Sequence, residues 1–483
     1  LVDAHNHPSY NVLGHIPFGQ TFNNRYEWQG TQMYSDFGDQ YGSILDYPGY
    51  YISGQDLNVV KMGELRALCA GTTTWQGTNC NSNGWDELYA AEGIGINNAE
   101  RFPARSKHIV RPLSNASLSN WPQWVGEYWE RFLVHLCEGT DQSSLAEFYM
   151  AKTNGLVDER LTIIHGVALT ATEFADMAAG QSNLVWSPKS NVLLYGQTAD
   201  IPAALAAGVN VALAPDWTPS GEFNLLDELR YAESWSQANW SSSISPRQFV
   251  DFVTINAAEA LGLLDRIGSV EEGKQADLVI IPQLSQDPYS DLLDTHEKDV
   301  ILTVVNGRPM YGNPPLMDSF PFLADMESIS ICATPKKVAW VVWSGYSILG
   351  FMPVSMITTE LIAAYNAATP VISDFLGYDQ CTPLPRRSTP AGEQPPATFA
   401  LEQNYPNPFN PSTMINYAVA ADGDVLVTIH DALGRHIETL VNEYQTAGRY
   451  SVTFNATGLP SGMYHCTLLA GGVKEARWMT LAK

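Results

Sequence analysis

The first ten residues, LVDAHNHPSY, constrain this chain more than any other segment. An apolar run ends there in His5-Asn6-His7, and alternate residues of a β-strand face the same side of a sheet. We therefore expect both imidazoles to point into one cavity at the carboxyl end of a strand. Two histidines one residue apart cannot complete a metal site alone, so the other ligands must come from later segments.

Four later side chains have the chemistry of the missing ligands. His135, His165 and Asp216 stand at the carboxyl ends of apolar runs, and Glu138 follows His135 by three residues. Imidazole and carboxylate suit a zinc-type divalent cation, and a catalytic site keeps one position for water and lowers its pKa. Glu138 is placed to be the proton shuttle. Each residue alone also fits a structural role, but their joint occurrence in strand order favours a site.

Strand-like and helix-like segments alternate over residues 1–265, which is typical of a parallel α/β fold. A (β/α)8 TIM-like barrel has about this size and carries its active site at the carboxyl ends of its strands. The predicted strands after the first are Thr72–Gln76, His108–Val110, Phe132–Leu136, Leu161–Ile164, Leu184–Trp186 and Val209–Ala214. The predicted helices are Asp56–Ala70, Gln142–Thr153, Ala171–Ala179, Ile201–Ala207, Leu225–Ser236 and Pro246–Leu263.

The remaining chain divides into three parts. Residues 266–381 are predicted to hold the return strands of a partial β-sandwich and an extension, with strands in Gly268–Ile281 and Val300–Tyr311. Residues 382–400 read as a proline-rich linker, and residues 401–483 as a separate all-β sandwich. The β-rich runs of this last part are Met414–Val419, Val425–Ile429, Tyr450–Phe454 and Met463–Leu469.

A long stretch, Pro8–Gly54, is rich in tyrosine, phenylalanine and tryptophan and shows no clear periodicity. Loops of this length in compact domains are usually functional or disordered, and the aromatic content disfavours disorder. We interpret the stretch as an irregular lid over the site. A surface loop packed on the barrel is the alternative.

Charge and cysteine usage exclude several classes of protein. Lys and Arg number 26 against 51 Asp and Glu, and a net charge of −25 argues against a nucleic-acid partner. The six cysteines form no CxxC pair, and a Cys332–Cys381 bridge is left open. No run reaches transmembrane length. The chain starts inside a strand, so we expect a mature or truncated product that lacks upstream sandwich strands.

Six segments together resemble the amidohydrolase superfamily, in its cytosine deaminase and triazine hydrolase branch. They are LVDAHNHPSY, HLCE from His135, HGVAL from His165, VWSPKSN from Val185, DWTPS from Asp216 and IGSVEEGKQADLVII from Ile267. The resemblance implies one divalent metal, zinc with iron(II) as the alternative.

The same resemblance implies a role for each site residue. The metal ligands would be His5, His7, His135 and Asp216. For catalysis, Glu138 would transfer protons, His165 would orient water and substrate, and Asp216 would also accept the water's proton. Ser220 would touch substrate, and Trp186 would help shape the pocket, at a position where relatives often have histidine.

The last 80 or so residues resemble the type IX secretion C-terminal sorting domain. The segments that carry this resemblance are NYPNPFNPST from Asn404, DALGR from Asp431 and GLPSGMY from Gly458. It implies export across the outer membrane by the type IX machinery, and a secreted or cell-surface protein. An ordinary carbohydrate-binding or adhesive sandwich is the alternative.

These observations predict a secreted metal-dependent hydrolase that acts on carbon–nitrogen bonds of a small cyclic amine or amide. Deamination is the favoured reaction, and dechlorination of a triazine-like ring is a narrower possibility. Imidazolonepropionase-like opening of a cyclic amide, or peptide-like hydrolysis, is the alternative among enzymes. A catalytically silent surface-binding protein is the alternative from another class.

Overall fold

The structure is a computed structural model that describes residues 1–45, 54–77, 97–98, 106–109, 131–320, 326–339, 354–378 and 398–482, the last range without 402, 405–406, 422, 433, 446–447 and 472. The chain forms two compact units, Leu1–Pro385 and Arg386–Lys483. Residues 382–397 of the predicted linker lie outside the described residues. The finer boundary at residue 265 stays a prediction.

Eight short parallel strands follow chain order in the first unit. They are β1 (Val2–Asp3), β2 (Thr74–Trp75), β3 (Asn97–Asn98), β4 (Ser106–Ile109), β5 (Arg131–Leu136), β6 (Leu161–His165), β7 (Asn183–Trp186) and β8 (Asn210–Leu213). One ladder joins β1 to β3, and a second joins β4 to β8. A parallel bridge between Asn6 and Asp216 brings β8 next to β1. No ladder joins β3 to β4 within the described ranges, so closure of the barrel stays a prediction.

The pleat of these strands separates two apolar layers. Leu133, Ile164, Val185 and Ala212 pack together on one face, with Val2 of β1. The neighbouring residues in each strand point the other way and pack against the helices, as a period of two requires. Both faces are therefore buried, as expected of parallel strands covered by helices.

Helices connect the strands and cover them. They are α1 (Arg25–Gln29), α2 (Gln32–Leu45), α3 (Gly54–Cys69), α4 (Gln142–Thr153), α5 (Ala171–Gly180), α6 (Pro188–Tyr195), α7 (Ile201–Ala207), α8 (Leu225–Trp240), α9 (Pro246–Phe252) and α10 (Ile255–Ala260). The predicted single helix Pro246–Leu263 is wrong, because Thr254 leaves the helical region at φ −133° and ψ −96°. The structure also corrects the irregular reading of Pro8–Gly54, which contains α1 and α2. Asn24 begins α1 by accepting the backbone N–H groups of Tyr26 and Glu27.

An antiparallel sheet follows the eight strands in the same unit. The elements are β9 (Leu278–Ile280), α11 (Pro288–Leu293), β10 (Leu302–Val305), β11 (Arg308–Gly312), α12 (Pro314–Met317), β12 (Met326–Ile331), β13 (Thr334–Ala339) and α13 (Val354–Ala367). The strand order of the sheet is β12–β13–β11–β10–β9, and α13 packs against α2 and α3. Only the end of the predicted strand Gly268–Ile281 is extended. Cys332 is disulfide-bonded, and Cys381 lies outside the described residues.

The second unit consists of two antiparallel sheets around one core. Its strands are β14 (Ala400–Leu401), β15 (Ser412–Val419), β16 (Gly423–Asp431), β17 (His436–Gln445), β18 (Gly448–Asn455), β19 (Gly462–Ala470) and β20 (Val473–Leu481). The sheet orders are β14–β15–β18 and β17–β16–β19–β20. Ile415 and Phe454 of the first sheet share a core with Val427 and Cys466 of the second. Two sheets that share one core form the predicted sandwich.

Candidate metal centre

Four histidines and one aspartate converge where the parallel strands end. Three overlapping groups each hold their ligand atoms within 4.8 Å of one another: His5, His7 and His135; His5, His165 and Asp216; and His135, Glu138 and His165. The Nε2 atoms of His5 and His7 lie 3.0 Å and 3.4 Å from Asp216 Oδ1. The structure thus brings together all four residues that the sequence predicted as metal ligands.

The backbone around the first strand fixes the direction of its two histidines. Asn6 N–H donates to Gln76 O at 2.8 Å, and His7 N–H donates to Asp216 O at 3.0 Å. The Asn6 side chain donates to Asp3 Oδ2 at 2.6 Å. The residue between the histidines is therefore engaged elsewhere, which leaves His5 and His7 directed into the cluster.

Gly77 lets the end of β2 approach this segment closely. It has φ +124°, and a Cβ atom there would lie 1.7 Å from Asn6 O. Any side chain at this position would push directly on the residue between the two histidines. Glycine is required here by both conformation and space.

Two residues of the cluster adopt left-handed backbone conformations. His165, the last residue of β6, has φ 76°, and Asp216, three residues after the end of β8, has φ 67°. Such conformations in residues other than glycine cost about 1–3 kcal/mol each and concentrate at functional sites. The surrounding contacts hold both side chains in the cluster despite this cost.

The protonation states of the cluster suit metal ligation. Burial lowers the pKa of His5 to about 4, so its imidazole is neutral at neutral pH. Burial alone would raise the pKa of Asp216, but hydrogen bonds with His5 and His7 hold it well below its ordinary value. Metal ligands must be deprotonated in this way. Imidazoles together with one carboxylate fit a zinc-type divalent cation.

Glu138 lies beside the cluster with both carboxylate oxygens engaged. Tyr195 donates its hydroxyl to Oε1 at 2.7 Å, and Arg25 Nη1 lies 3.4 Å from Oε2. The same Oε2 lies 3.3 Å from His135 Nδ1 and 3.7 Å from His165 Nε2. Glu138 is therefore fixed in place next to two of the histidines, where the sequence predicted a proton shuttle.

Arg25 and Tyr195 are site residues that the sequence did not reveal. Arg25 is 2% exposed, and its Nη2 donates to Glu147 Oε1 at 2.7 Å. Burial alone would lower the pKa of Arg25, but Glu138 and Glu147 raise it above its ordinary value. Burial, and then the charge of Glu138, raise the pKa of Tyr195, so its hydroxyl stays a donor. Arg25 is the one arginine of Pro8–Gly54, and nothing else in the sequence points to it as a site residue.

Ser190 and Ser220 support the far side of Asp216. Ser190 donates its hydroxyl to Asp216 Oδ2 at 2.8 Å and lies 2.7 Å from Ser220 Oγ. Trp217 Nε1 also donates to Ser220. The structure thus places Ser220 behind the carboxylate, and its predicted contact with substrate stays a prediction.

Trp186 does not face the cluster, which corrects its predicted place in the pocket. Its indole N–H donates to Thr198 Oγ1 at 2.6 Å, and its ring packs 5.6 Å from Trp240 among the helices. The pleat of β7 turns Val185, not Trp186, to the inner face. Thr198 donates to Asn191, which contacts His165 Nδ1 at 2.9 Å, so Trp186 reaches the site only through this chain.

Aromatic side chains line the cluster next to His7, which keeps 12% of its side chain exposed. The ring of Trp217 lies 6.0 Å from the His7 ring and 5.3 Å from the Tyr10 ring. Trp28 and Phe37 each lie 6.0 Å from Trp217. Aromatic residues of Pro8–Gly54 therefore pack beside the histidines, and opening of the stretch as a lid stays a prediction.

Comparisons with known proteins match a segment of each unit. Residues 133–310 match the amidohydrolase family, and residues 403–479 match the secretion system C-terminal sorting domain. The chain contains an amidohydrolase domain. A 184-residue segment is 30% identical to the 5-methylthioadenosine/S-adenosylhomocysteine deaminase of Teredinibacter turnerae, covering 36% of this chain and 42% of that protein. The chain thus matches less than half the length of this relative.

Solved structures support the same fold for the amidohydrolase domain. An adenosine deaminase from Xanthomonas campestris with bound zinc aligns over 64% of this chain and 79% of its own, with a TM-score of 0.50 and 21% identity. Atrazine chlorohydrolase from Arthrobacter aurescens TC1, complexed with zinc, aligns over 76% and 87%, with a TM-score of 0.52 and 17% identity. These neighbours imply a TIM-barrel-like fold.

The sorting domain indicates type IX secretion, to the cell surface or beyond it. Its match covers most of the second unit. Among the described residues, no helix is both long and apolar enough to cross a membrane.

Proposed function

We propose that the amidohydrolase domain is a zinc-dependent hydrolase of carbon–nitrogen bonds that deaminates a small heterocyclic amine. The convergence of His5, His7, His135 and Asp216 beside Glu138 carries the proposal. The deaminase relatives support this reaction class, and the zinc reported for the structural neighbours supports the metal. Iron(II) has the same ligand preferences among histidine and carboxylate sites.

The proposed ligands are His5, His7, His135 and Asp216. A bound divalent cation supplies a Lewis acid that lowers the pKa of a water molecule towards neutrality. Asp216 stays ionised through its hydrogen bonds and accepts a proton from the attacking water. Ser190 holds the second oxygen of Asp216, which keeps the first directed at the histidines.

Glu138 is the proposed proton carrier. The water oxygen adds to the ring carbon that bears the amino group, and one water proton goes to the adjacent ring nitrogen. The other goes to the amino nitrogen, and the carbon–nitrogen bond breaks to release ammonia and leave a carbonyl. Tyr195 and Arg25 hold Glu138 beside the cluster, from where it would pass a proton to the leaving nitrogen. His165, 3.1 Å from His135, is placed to orient the water and substrate.

A planar heterocycle is the proposed substrate class. Trp217 and Tyr10 offer aromatic faces beside His7, the most exposed of the proposed ligands. Aromatic rings prefer such stacked or edge-to-face neighbours. A ring bound there would present its amino-bearing carbon to Glu138 and Asp216.

Ammonia release tests the proposal. The metal-stripped full chain is reloaded with zinc and assayed against aminopurines, aminopyrimidines and lactams. We expect zinc-dependent ammonia release from at least one aminated ring. Opening of lactams without ammonia release would replace deamination by cyclic-amide hydrolysis. A protein that neither holds zinc nor turns over any of these compounds would contradict the enzyme assignment.

A further inference from the structure

A second group of histidines lies in the sorting domain. His430 pairs with His436 across β16 and β17, and with His465 across β16 and β19. The three side chains therefore form one row across three neighbouring strands. The adjacent residues Ile429 and Cys466 point into the core, which places the row on the outer face of the sheet.

Neighbouring rings of this row lie about as far apart as neighbouring rings of the candidate metal centre. The His430 ring lies 5.0 Å from the His465 ring and 5.6 Å from the His436 ring. In the buried cluster the corresponding separations are 4.7 Å for His5–His7 and 5.7 Å for His7–His135. The buried cluster already holds its ligand atoms within 4.8 Å of one another, whereas the described positions of the row do not, so a shared cation requires His436 and His465 to rotate towards His430.

The hydrogen bonds of the row leave ring nitrogens available. His436 Nε2 contacts Thr439 Oγ1 at 2.9 Å, and His465 Nδ1 contacts Thr467 Oγ1 at 3.4 Å. Histidine ligands usually make such a bond through the nitrogen that does not bind metal. In the part of the chain that the structure describes, the buried His430 Nδ1 has no hydrogen-bond partner.

We propose that this row, His430, His436 and His465, binds a divalent transition cation on the surface of the sorting domain. Three imidazoles select zinc, nickel or copper over calcium and magnesium, which take oxygen ligands. Water would complete the coordination, since the outer face is open to solvent. Neither the match to the amidohydrolase family nor the match to the sorting domain implies this site.

The site would connect an edge strand to the middle of its sheet. The strand order β17–β16–β19–β20 leaves β17 with one neighbour in that sheet. A cation shared by His436, His430 and His465 would add a link across both strand boundaries. The sorting domain should therefore unfold at a higher temperature with zinc than without it.

Zinc stoichiometry of the full chain tests the site. Equilibrium dialysis against zinc chloride should give two bound equivalents, one from the buried cluster and one from the row. The double variant H436N/H465N should keep one equivalent, in the buried cluster. Its row should bind zinc at least tenfold more weakly than the row of the wild type. The matched control H296N removes an exposed histidine outside both clusters and should keep both equivalents.

The result that overturns the site is equal zinc binding by the wild type and H436N/H465N. A metal-free thermal melt of the double variant checks that the sorting domain still folds, and H430N provides a second variant within the row. Zinc that raises the unfolding temperature of wild type and double variant equally would also count against the site. Ammonia release by H436N/H465N reports separately on the hydrolase, which does not depend on this row.

Discussion

The two histidine clusters differ in how the fold assembles them. The buried cluster collects ligands from the ends of parallel strands, and His5 and His165 are completely buried. The surface row takes one histidine from each of three antiparallel strands and leaves His436 exposed. The buried cluster is enclosed by carboxylates, an arginine and aromatic rings, whereas threonines make the hydrogen bonds of the row. Under the two proposals, the buried cluster would serve catalysis, and the surface row would bind a cation alone.

Removing one ligand from each cluster is the most severe test of this difference. We expect H135N to lose zinc from the buried cluster and to lower kcat/KM by about 10³-fold or more, because even outer-sphere changes cost 10–100-fold. H465N should lose only the surface zinc and keep kcat/KM within about twofold, as expected of a residue outside the amidohydrolase domain. Zinc content and ammonia release are measured on the same samples. Equal activity losses in both variants would contradict the separation of roles.

A substitution at Arg25 tests whether activity depends on the residues that surround the buried cluster. We expect R25M to lower kcat by about 10–100-fold with little change in KM, because Glu138 loses one of its two anchors. R66M is the control, since Arg66 is equally buried but donates to the carbonyls of Leu376 and Gly377. That variant should lose stability without a comparable loss of kcat. Steady-state kinetics that show the same kcat for R25M and wild type would remove Arg25 from the site.

A substitution at Gly77 tests how tightly the backbone holds the segment His5-Asn6-His7. We expect G77A to lower the free energy of unfolding by about 3 kcal/mol, because the new Cβ clashes with Asn6 O and the backbone has φ +124°. G155A is the control, with φ +69° and no atom within 4 Å of its Cβ, and should cost about 1 kcal/mol. Urea denaturation compares the two. A G77A protein as stable as G155A would show that the first strand end can move.

Asp141 should give the smallest effect, on stability alone. It caps α4 and accepts from Asn24 Nδ2 at 2.7 Å. Burial alone would raise its pKa, but hydrogen bonds from Ser144, Asn24 and Ser143 lower the pKa to about 2. At neutral pH, D141A should therefore cost about 1 kcal/mol of unfolding free energy.

The pH dependence of D141A follows from the sign of this shift. A carboxylate whose pKa is lower in the folded state stabilises the fold above its unfolded pKa, and this contribution disappears as the pH falls through about 2. The stability difference between wild type and D141A should shrink over that range. D200A, which removes the cap of α7, is the matched control at another helix. A difference that grows as the pH falls would contradict the assignment.

The sequence predicted the buried cluster because its signals are local. Each of His135, His165 and Asp216 stands at the end of an apolar run, and parallel strands bring such ends to one edge. Two helices that begin at an aspartate cap, Gln142–Thr153 and Ile201–Ala207, were also predicted with their observed bounds. The local sequence pattern was sufficient to predict contacts between residues that stand at the ends of successive strands.

Features that depend on tertiary contacts escaped prediction. Arg25 reaches Glu138 only because α1 docks beside the end of β5, where Asn24 bridges to Gly139. Trp186 was assigned to the pocket although one residue of shift along a strand reverses its face. The surface row has no spacing signature, since His430, His436 and His465 meet only through strand register. Register is set by the whole sheet and by its bulges, which the sequence did not locate.

Ammonia release by zinc-loaded E138Q, compared with wild type, tests the central claim most directly. Glutamine keeps the size of the side chain but cannot carry the proton, so we expect equal zinc content and a loss of turnover of about 10²–10⁴-fold. That result would place the chemistry at Glu138 beside an intact metal cluster. Ammonia release by E138Q at the wild-type rate, with the same zinc content, would contradict the account.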